Sequence, residues 1–243
     1  MKNKLFIVAA LTIVFLMAFV TVTAGMQVTE ITYLQGKSFV GTAKQGPWKA
    51  LAKGMQVAQN QFIRTDKTGI VEITLPDRSV VRLAPNTLYK IDKANFPEKN
   101  TPSFTASLFF GKMWAKVSQS HRIGRGRFDT KTPTAIVGVR GTVYNVNASM
   151  DRSVRVSVYE GLVAVGPPLI SAGAAREEIS WPKVVSEKKW EEIILSRLQR
   201  IYIGSDGFPG KPELFDPVIE EDKWADWNLK QDAEQVSGNS SSN

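Results

Sequence analysis

In Ile70-Val71-Glu72-Ile73-Thr74-Leu75, the side chains of Val71, Ile73 and Leu75 fall on one side of an extended chain while Glu72 and Thr74 fall on the other. That alternation marks a strand with one buried face. It constrains the fold more than any other feature, because short apolar segments of this kind return about every ten residues from Ile31 onward, separated by Gly, Pro, Asn and Asp. None of them carries the i, i+3, i+4, i+7 spacing of an amphipathic helix. Strands are predicted at Phe39 to Ala43, Gln61 to Arg64, Ile70 to Leu75, Val80 to Leu83, Leu108 to Val117, Ala135 to Val139, Val143 to Val146, Val154 to Tyr159 and Leu162 to Val165. Pro76-Asp77-Arg78-Ser79 is a turn between two of them. The expected fold is mainly β, with many short strands in a β-solenoid-like or sandwich/roll module and a short C-terminal helix.

The chemistry available to such a module is narrow. The 243 residues contain no cysteine and a single histidine, His121, which argues against thiol nucleophiles, disulfide frameworks, zinc clusters and histidine-rich catalytic triads. His121, beside Arg122, reads as a solvated loop residue. No carboxylate pair has a spacing that argues for glycosidase chemistry. Gly124-Arg125-Gly126 lacks the context of a dinucleotide fingerprint, and no Gly-Lys-Ser/Thr phosphate loop occurs. The expectation is a protein that is not an enzyme and needs no cofactor or metal. A formal charge of +8 and a pI near 9.6 favour an acidic partner.

The N-terminus supplies an address. Lys2 and Lys4 precede an apolar stretch from Leu5 to Val22, followed by the small-residue pattern Val22-Thr23-Ala24. Residues 1–24 therefore read as a signal peptide cleaved after Ala24, with an uncleaved membrane anchor as the alternative. Either outcome places Gly25 onward in the periplasm or exterior. Nucleic acid is then not an expected partner, and the membrane is contacted only through an uncleaved segment.

Four domains are expected: the signal, a β module over 31–166, a C-terminal region over 167–236 and a disordered tail over 237–243. Pro167 to Arg176 reads as a linker, and Trp190 to Leu195 with Arg200 to Ile203 as a further hairpin. Asp216-Pro217 signals a helix start, with a helix running to about Glu234. Trp224 and Trp227 lie on one face of it, positioned to pack on the β module or to serve as a partner-binding platform. Between Glu213 and Glu234 stand eight acidic residues against two lysines, Lys223 and Lys230.

The most distinctive stretch is Thr132-Pro133-Thr134-Ala135-Ile136-Val137-Gly138-Val139-Arg140-Gly141-Thr142, followed later by Tyr159-Glu160-Gly161-Leu162. With the earlier blocks Gly54-Met55-Gln56-Val57, Phe62-Ile63-Arg64-Thr65, the hairpin through Asp77-Arg78-Ser79 and Phe110-Gly111-Lys112-Met113-Trp114, it resembles the FecR domain family over about Phe39 to Val165. The resemblance implies a periplasmic β module, best known as the sensor half of regulators that relay a signal from an outer-membrane transporter to a cytoplasmic sigma factor. With four residues ahead of the apolar segment, the expectation is a standalone exported member without the cytoplasmic sigma-regulating region. The region after Val165 does not read as the small α/β domain such regulators use, and Arg78 stands where the family's turn usually carries Gly.

The motif residues Thr132, Pro133, Gly138, Arg140, Gly141, Thr142, Glu160 and Gly161 read as structural. Arg140 is expected to satisfy backbone carbonyls at a strand crossing, with anion binding as the alternative. Lys112, Lys116, Arg122, Arg125, Arg127 and Lys131, set against Asp129 alone, form a candidate anionic or partner contact, as do Trp224 and Trp227; the simpler reading is a solvated basic hairpin. The function expected is an envelope-protein-binding or scaffold module with a signalling connection. A peptidoglycan- or polysaccharide-binding envelope protein is the alternative.

Overall fold

The alternation is realised as two sheets that share one long strand. The structure is a computed structural model describing residues 29–97, 101–118, 126–139, 141–168, 191–218 and 222–240. Sheet 1 runs in the order β4 (Gln56–Val57), β1 (Thr29–Gln35), β6 (Ile70–Thr74), β7 (Val80–Leu83), the C-terminal half of β9 (Ser103–Lys116), β12 (Val143–Ala148), β13 (Val154–Glu160), β16 (Gln199–Ile203) and β17 (Glu213–Leu214). All its neighbours are antiparallel. Sheet 2 runs β3 (Trp48–Ala50), β2 (Ser38–Gly41), β5 (Phe62–Thr65), β8 (Leu88–Asn95), the N-terminal half of β9, β10 (Arg127–Lys131), β11 (Ile136–Val139), β14 (Val163–Gly166) and β15 (Ile193–Leu195). Among the described strands, only β9 and β10 pair in parallel there.

Strand β9 changes sheet at Gly111, where φ is +102° and an added Cβ would sit 2.6 Å from the Thr87 Cα. Glycine alone fits that bend. The inner faces then interdigitate in a single core: Ile31, Ile73, Val81, Met113 and Val156 from sheet 1 meet Ile63, Ile91, Phe104, Phe128 and Val165 from sheet 2, every one fully buried. The alternation of sequence thus becomes the sandwich of structure. Polar atoms inside it are paired where they meet, as Thr130 Oγ1 and the Tyr144 hydroxyl do at 3.0 Å. Burial holds the Tyr144 phenol above its ordinary range.

A third layer covers only sheet 1. Helix α1 (Lys223–Ser240) lies on its outer face, where Trp224 and Ala225 join a second apolar cluster with Trp114, Val143, Tyr159 and Phe215. The outer face of sheet 2 carries no comparable layer among the described residues.

Several boundaries differ from the sequence expectation. Helix α1 begins at Lys223, not at Pro217: Asp216 does accept from the Val218 N–H at 2.9 Å, but it closes a turn. The cap is Asp222, whose Oδ1 accepts from the Trp224 N–H at 3.1 Å. The helix also continues through Ser240, over the first residues of the expected tail. Residues expected to form a hairpin at 190–203 split instead between sheets: β15 extends sheet 2 beside β14, and β16 extends sheet 1 beside β13. Leu195 and Ile201 enter the core from opposite layers, so the two sheets continue beyond 166. The turn at 76–79 is tight despite Arg78, which adopts φ +67° as glycine would, while Asp77 accepts from the Ser79 N–H and hydroxyl at 3.1 and 2.8 Å. The signal at 1–24 and most of the linker lie outside the described residues.

Candidate functional site

The seam between α1 and sheet 1 is built on buried charge. Glu72 on β6 and Arg82 on β7 are opposite each other across the hairpin, both pointing outward from sheet 1. In a hairpin exposed to water they would form a cross-strand pair of little net value. Here α1 covers them. Arg82, fully buried, donates from Nε to Glu72 Oε2 at 2.7 Å and from Nη1 to Asp232 Oδ1 at 2.7 Å. Asp232 also accepts from Trp114 Nε1 at 3.0 Å, and Glu72 from Thr32 Oγ1 at 2.7 Å and Gln235 Nε2 at 3.3 Å. The Arg82 guanidinium lies over the ring of Trp227, which stacks on Trp224 at 5.4 Å between centroids.

The polar contacts fix where the helix sits, and its tryptophans bury apolar surface on the sheet. Arg82 Nη2 and Trp224 Nε1 are buried without an acceptor among the described residues. Such imperfect satisfaction costs stability. A helix held through a buried ion pair and two tryptophans docks in one register, and its hold depends on every member of the set.

A cleft of about 840 Å³ opens beside the start of α1, lined among others by Lys112, Arg155, Asp222, Met150 and Trp224. Asp222 sits between two cations, 3.5 Å from Lys112 Nζ and 3.7 Å from Arg155 Nη2. These are loose surface pairs, and Met150 is 79% exposed. The cleft thus joins charged and apolar side chains at the start of α1. Among the described residues there is no group of three metal-ligating side chains, and no helix long and apolar enough to cross a membrane.

The basic segment does not form one surface. Lys112 and Lys116 stand on the sheet 1 half of β9, under α1, where Lys116 Nζ donates to the Asp232 carbonyl at 3.4 Å. Arg127 and Lys131 stand on β10 in sheet 2, on the opposite side of the sandwich. The cause is the bend at Gly111, which separates the two halves of β9. Arg122 and Arg125 lie outside the described residues. Among the described residues of that segment, Lys112 and Lys116 are the ones that α1 and its Asp222 cap meet.

The described motif residues stand at a turn within sheet 2, inside β11, and at two crossings between the sheets. Thr132 Oγ1 accepts from the Ala135 N–H at 2.9 Å and donates to its carbonyl at 2.8 Å, closing a turn around buried Pro133. Gly141 and Thr142 carry the chain from β11 to β12, and exposed Glu160 with Gly161 carries it back from β13 to β14. The two crossings touch: a Cβ on Gly161, at φ +82°, would lie 2.7 Å from Thr142 Cγ2 and 2.9 Å from the Gly141 carbonyl oxygen. Gly161→Ala should therefore cost about 2–3 kcal/mol, combining left-handed strain with overpacking. Gly166→Ala, with nothing within 4 Å of its added Cβ, should cost almost nothing. Urea unfolding of both variants checks this, and equal stabilities would refute it. Arg140 itself lies outside the described residues.

Beside these crossings a second cleft of about 740 Å³ is lined by residues including Asp129, Gly138, Gly161 and Leu162. Burial holds the Asp129 carboxyl above its ordinary range, opposed by its ion pair with Arg127. Gly138 has the Asp129 carboxylate 3.4 Å from where a Cβ would be.

Arg82, Glu72, Asp232 and Asn228 were not singled out by the sequence. A signal was present: Trp224, Asn228, Asp232 and Gln235 recur at helical spacing, and counting back from the 76–79 turn sets Glu72 against Arg82. Polar residues at that spacing read as a solvated helix face, which is why they passed unnoticed.

Residues 61–164 match the family model described as FecR protein. No curated protein matches the sequence. Two crystal structures of a candidate anti-sigma factor from Parabacteroides distasonis ATCC 8503 are similar. The 2.50 Å structure is 20% identical with a TM-score of 0.46, covering 64% of this chain and 60% of that chain. The 1.65 Å structure is 22% identical with a TM-score of 0.45 and the same coverage. The similarity thus spans less than two thirds of those chains.

Proposed function

From a chain that carries a FecR domain across residues 61–164, we infer a signalling-related role exercised through protein contacts in the cell envelope, without catalysis. The family match is the observation that carries this reading. The seam between α1 and sheet 1 gives it a physical means. Its polar latch ties a single helix to one face of a sandwich, and the adjoining cleft with exposed Met150 offers a partner mixed apolar and charged contact.

Export is part of the same proposal, resting on the lysine-flanked apolar run and Val22-Thr23-Ala24. Crosslinking in intact cells followed by capture and mass spectrometry tests both parts together. The expected product is a chain beginning at Gly25 joined to one discrete envelope protein. Recovery of a chain beginning at Met1 in the membrane pellet would establish the anchored form instead. Recovery of peptidoglycan or polysaccharide with no protein partner would overturn the protein-contact reading.

A further inference from the structure

Sheet 2 presents its outer face to solvent, and its β3-β2-β5-β8 part has an unusual construction. Exposed Arg64 is stacked against two rings: its guanidinium carbon lies 4.7 Å from the Trp48 ring centre and 5.3 Å from that of Phe39. Lys90 Nζ lies 5.4 Å over Phe62, which is itself stacked on Phe109 at 5.8 Å. Lys44 Nζ stands 5.0 Å over Phe109. The register places Gly41, Phe62, Lys90, Ser107 and Lys131 in one row across the sheet. Aromatic rings thus hold Arg64, Lys90 and Lys44 in place on this face.

Clamping changes what these cations can do. A free surface arginine must give up rotamer entropy to grip an anion, whereas one held between rings has already lost it and presents its fork ready-made. Neither Arg64 nor Lys44 forms an ion pair with a described residue, whereas Lys90 at 3.5 Å and Lys131 at 3.7 Å share Asp92, which also accepts from Ser107 Oγ at 2.6 Å. With Arg64, Lys44, Lys90 and Lys131 set against Asp92, this part of the face is net positive.

We propose that this row binds a polyanionic glycan, a sugar chain bearing a carboxylate on successive residues. Trp48 and Phe62 are two strands apart, about 10 Å at ordinary strand spacing, and Lys90 and Lys131 continue the line beyond them. A uronic-acid chain laid along it puts carboxylates on Arg64, Lys90 and Lys131. A lipid surface fits less well, since the exposed large hydrophobic residues among those described all lie elsewhere. Single-stranded nucleic acid needs open ring faces for its bases, and here cations lie over them. The proposal is independent of the signalling role, and so are its tests.

Calorimetric titration of the full chain with polygalacturonate provides the test. Binding is expected in low salt and should weaken as salt rises. Arg64→Gln should weaken it about tenfold, and Arg64→Lys by a smaller factor because the ammonium lacks the planar fork. Lys90→Gln should also weaken it, while Lys230→Gln, matched in charge change but exposed on α1 over the other sheet, should leave it unaltered. Unchanged melting temperatures would show that the variants are folded. The proposal is overturned by absence of wild-type binding, by equal weakening in Lys230→Gln, by equal binding of methyl-esterified polygalacturonate, or by phosphatidylglycerol vesicles binding as tightly with the same sensitivity to Arg64.

Discussion

Truncation after Asp216 should lower the melting temperature by about 8–16 °C while leaving the β sandwich folded. The main core contains no residue of α1, so the two sheets keep their interdigitated contacts. What is lost is the second cluster: Trp224 at 8% exposure and half-buried Trp227 leave, and Trp114, Val143 and Tyr159 lose their cover. Large aromatic side chains contribute about 2–3 kcal/mol each when buried, offset by the entropy of ordering the helix. The net is about 4 kcal/mol, and a chain of this size converts each kcal/mol into about 2–4 °C. Far-ultraviolet dichroism should keep its β signature while a hydrophobic dye gains a binding surface. An unaltered melting curve without dye binding would show that α1 does not pack as described.

The legible part of this fold was the part written by alternation. Val80 to Leu83 was placed to the residue, and most other strands to within a few residues, because one buried face forces a period of two. Strand β8, where Leu88 to Asn95 has charged residues at three positions, was missed because register shifts between Leu88 and Tyr89 and between Ile91 and Lys93 break its alternation. The hairpin expected at 190–203 failed for a different reason. Two apolar runs near each other in sequence predict pairing, but both Leu195 and Ile201 found deeper burial by joining different sheets.

The candidate site was legible in pieces only. Packing of the tryptophan face followed from the cost of leaving it in water, and the structure seats it next to Lys112 and Lys116. The unity of the basic segment did not survive, because a sequence run says nothing about a strand that changes sheets midway. Arg82 was hidden by its own surroundings: in Val80-Val81-Arg82-Leu83 it occupies the outward position of a strand, where charge is normal. Only the arrival of a helix from 150 residues away in sequence makes that outward position an interior one.

That burial makes Arg82→Ala the substitution that should report on the latch most directly. The variant leaves Glu72 and Asp232, at 7% and 9% exposure, facing each other without their cation. Breaking one partner of a buried ion pair costs about 3–5 kcal/mol. Remaining donors soften the loss: Trp114 Nε1 still serves Asp232, and Thr32 Oγ1 still serves Glu72. The low end, about 3 kcal/mol or about 6–12 °C in melting temperature, is therefore expected. The triple replacement Arg82→Met, Glu72→Gln, Asp232→Asn should recover most of it, since no uncompensated charge remains buried and the methionine fills the guanidinium's space. Tryptophan emission separates two modes of failure. A red shift before the main unfolding transition in Arg82→Ala would mean that α1 detaches first, as a latch requires, whereas a single transition at lower temperature would make Arg82 a support of sheet 1 itself. Wild-type stability in Arg82→Ala would show that the ion pair contributes nothing, and α1 would then be held by its tryptophans alone.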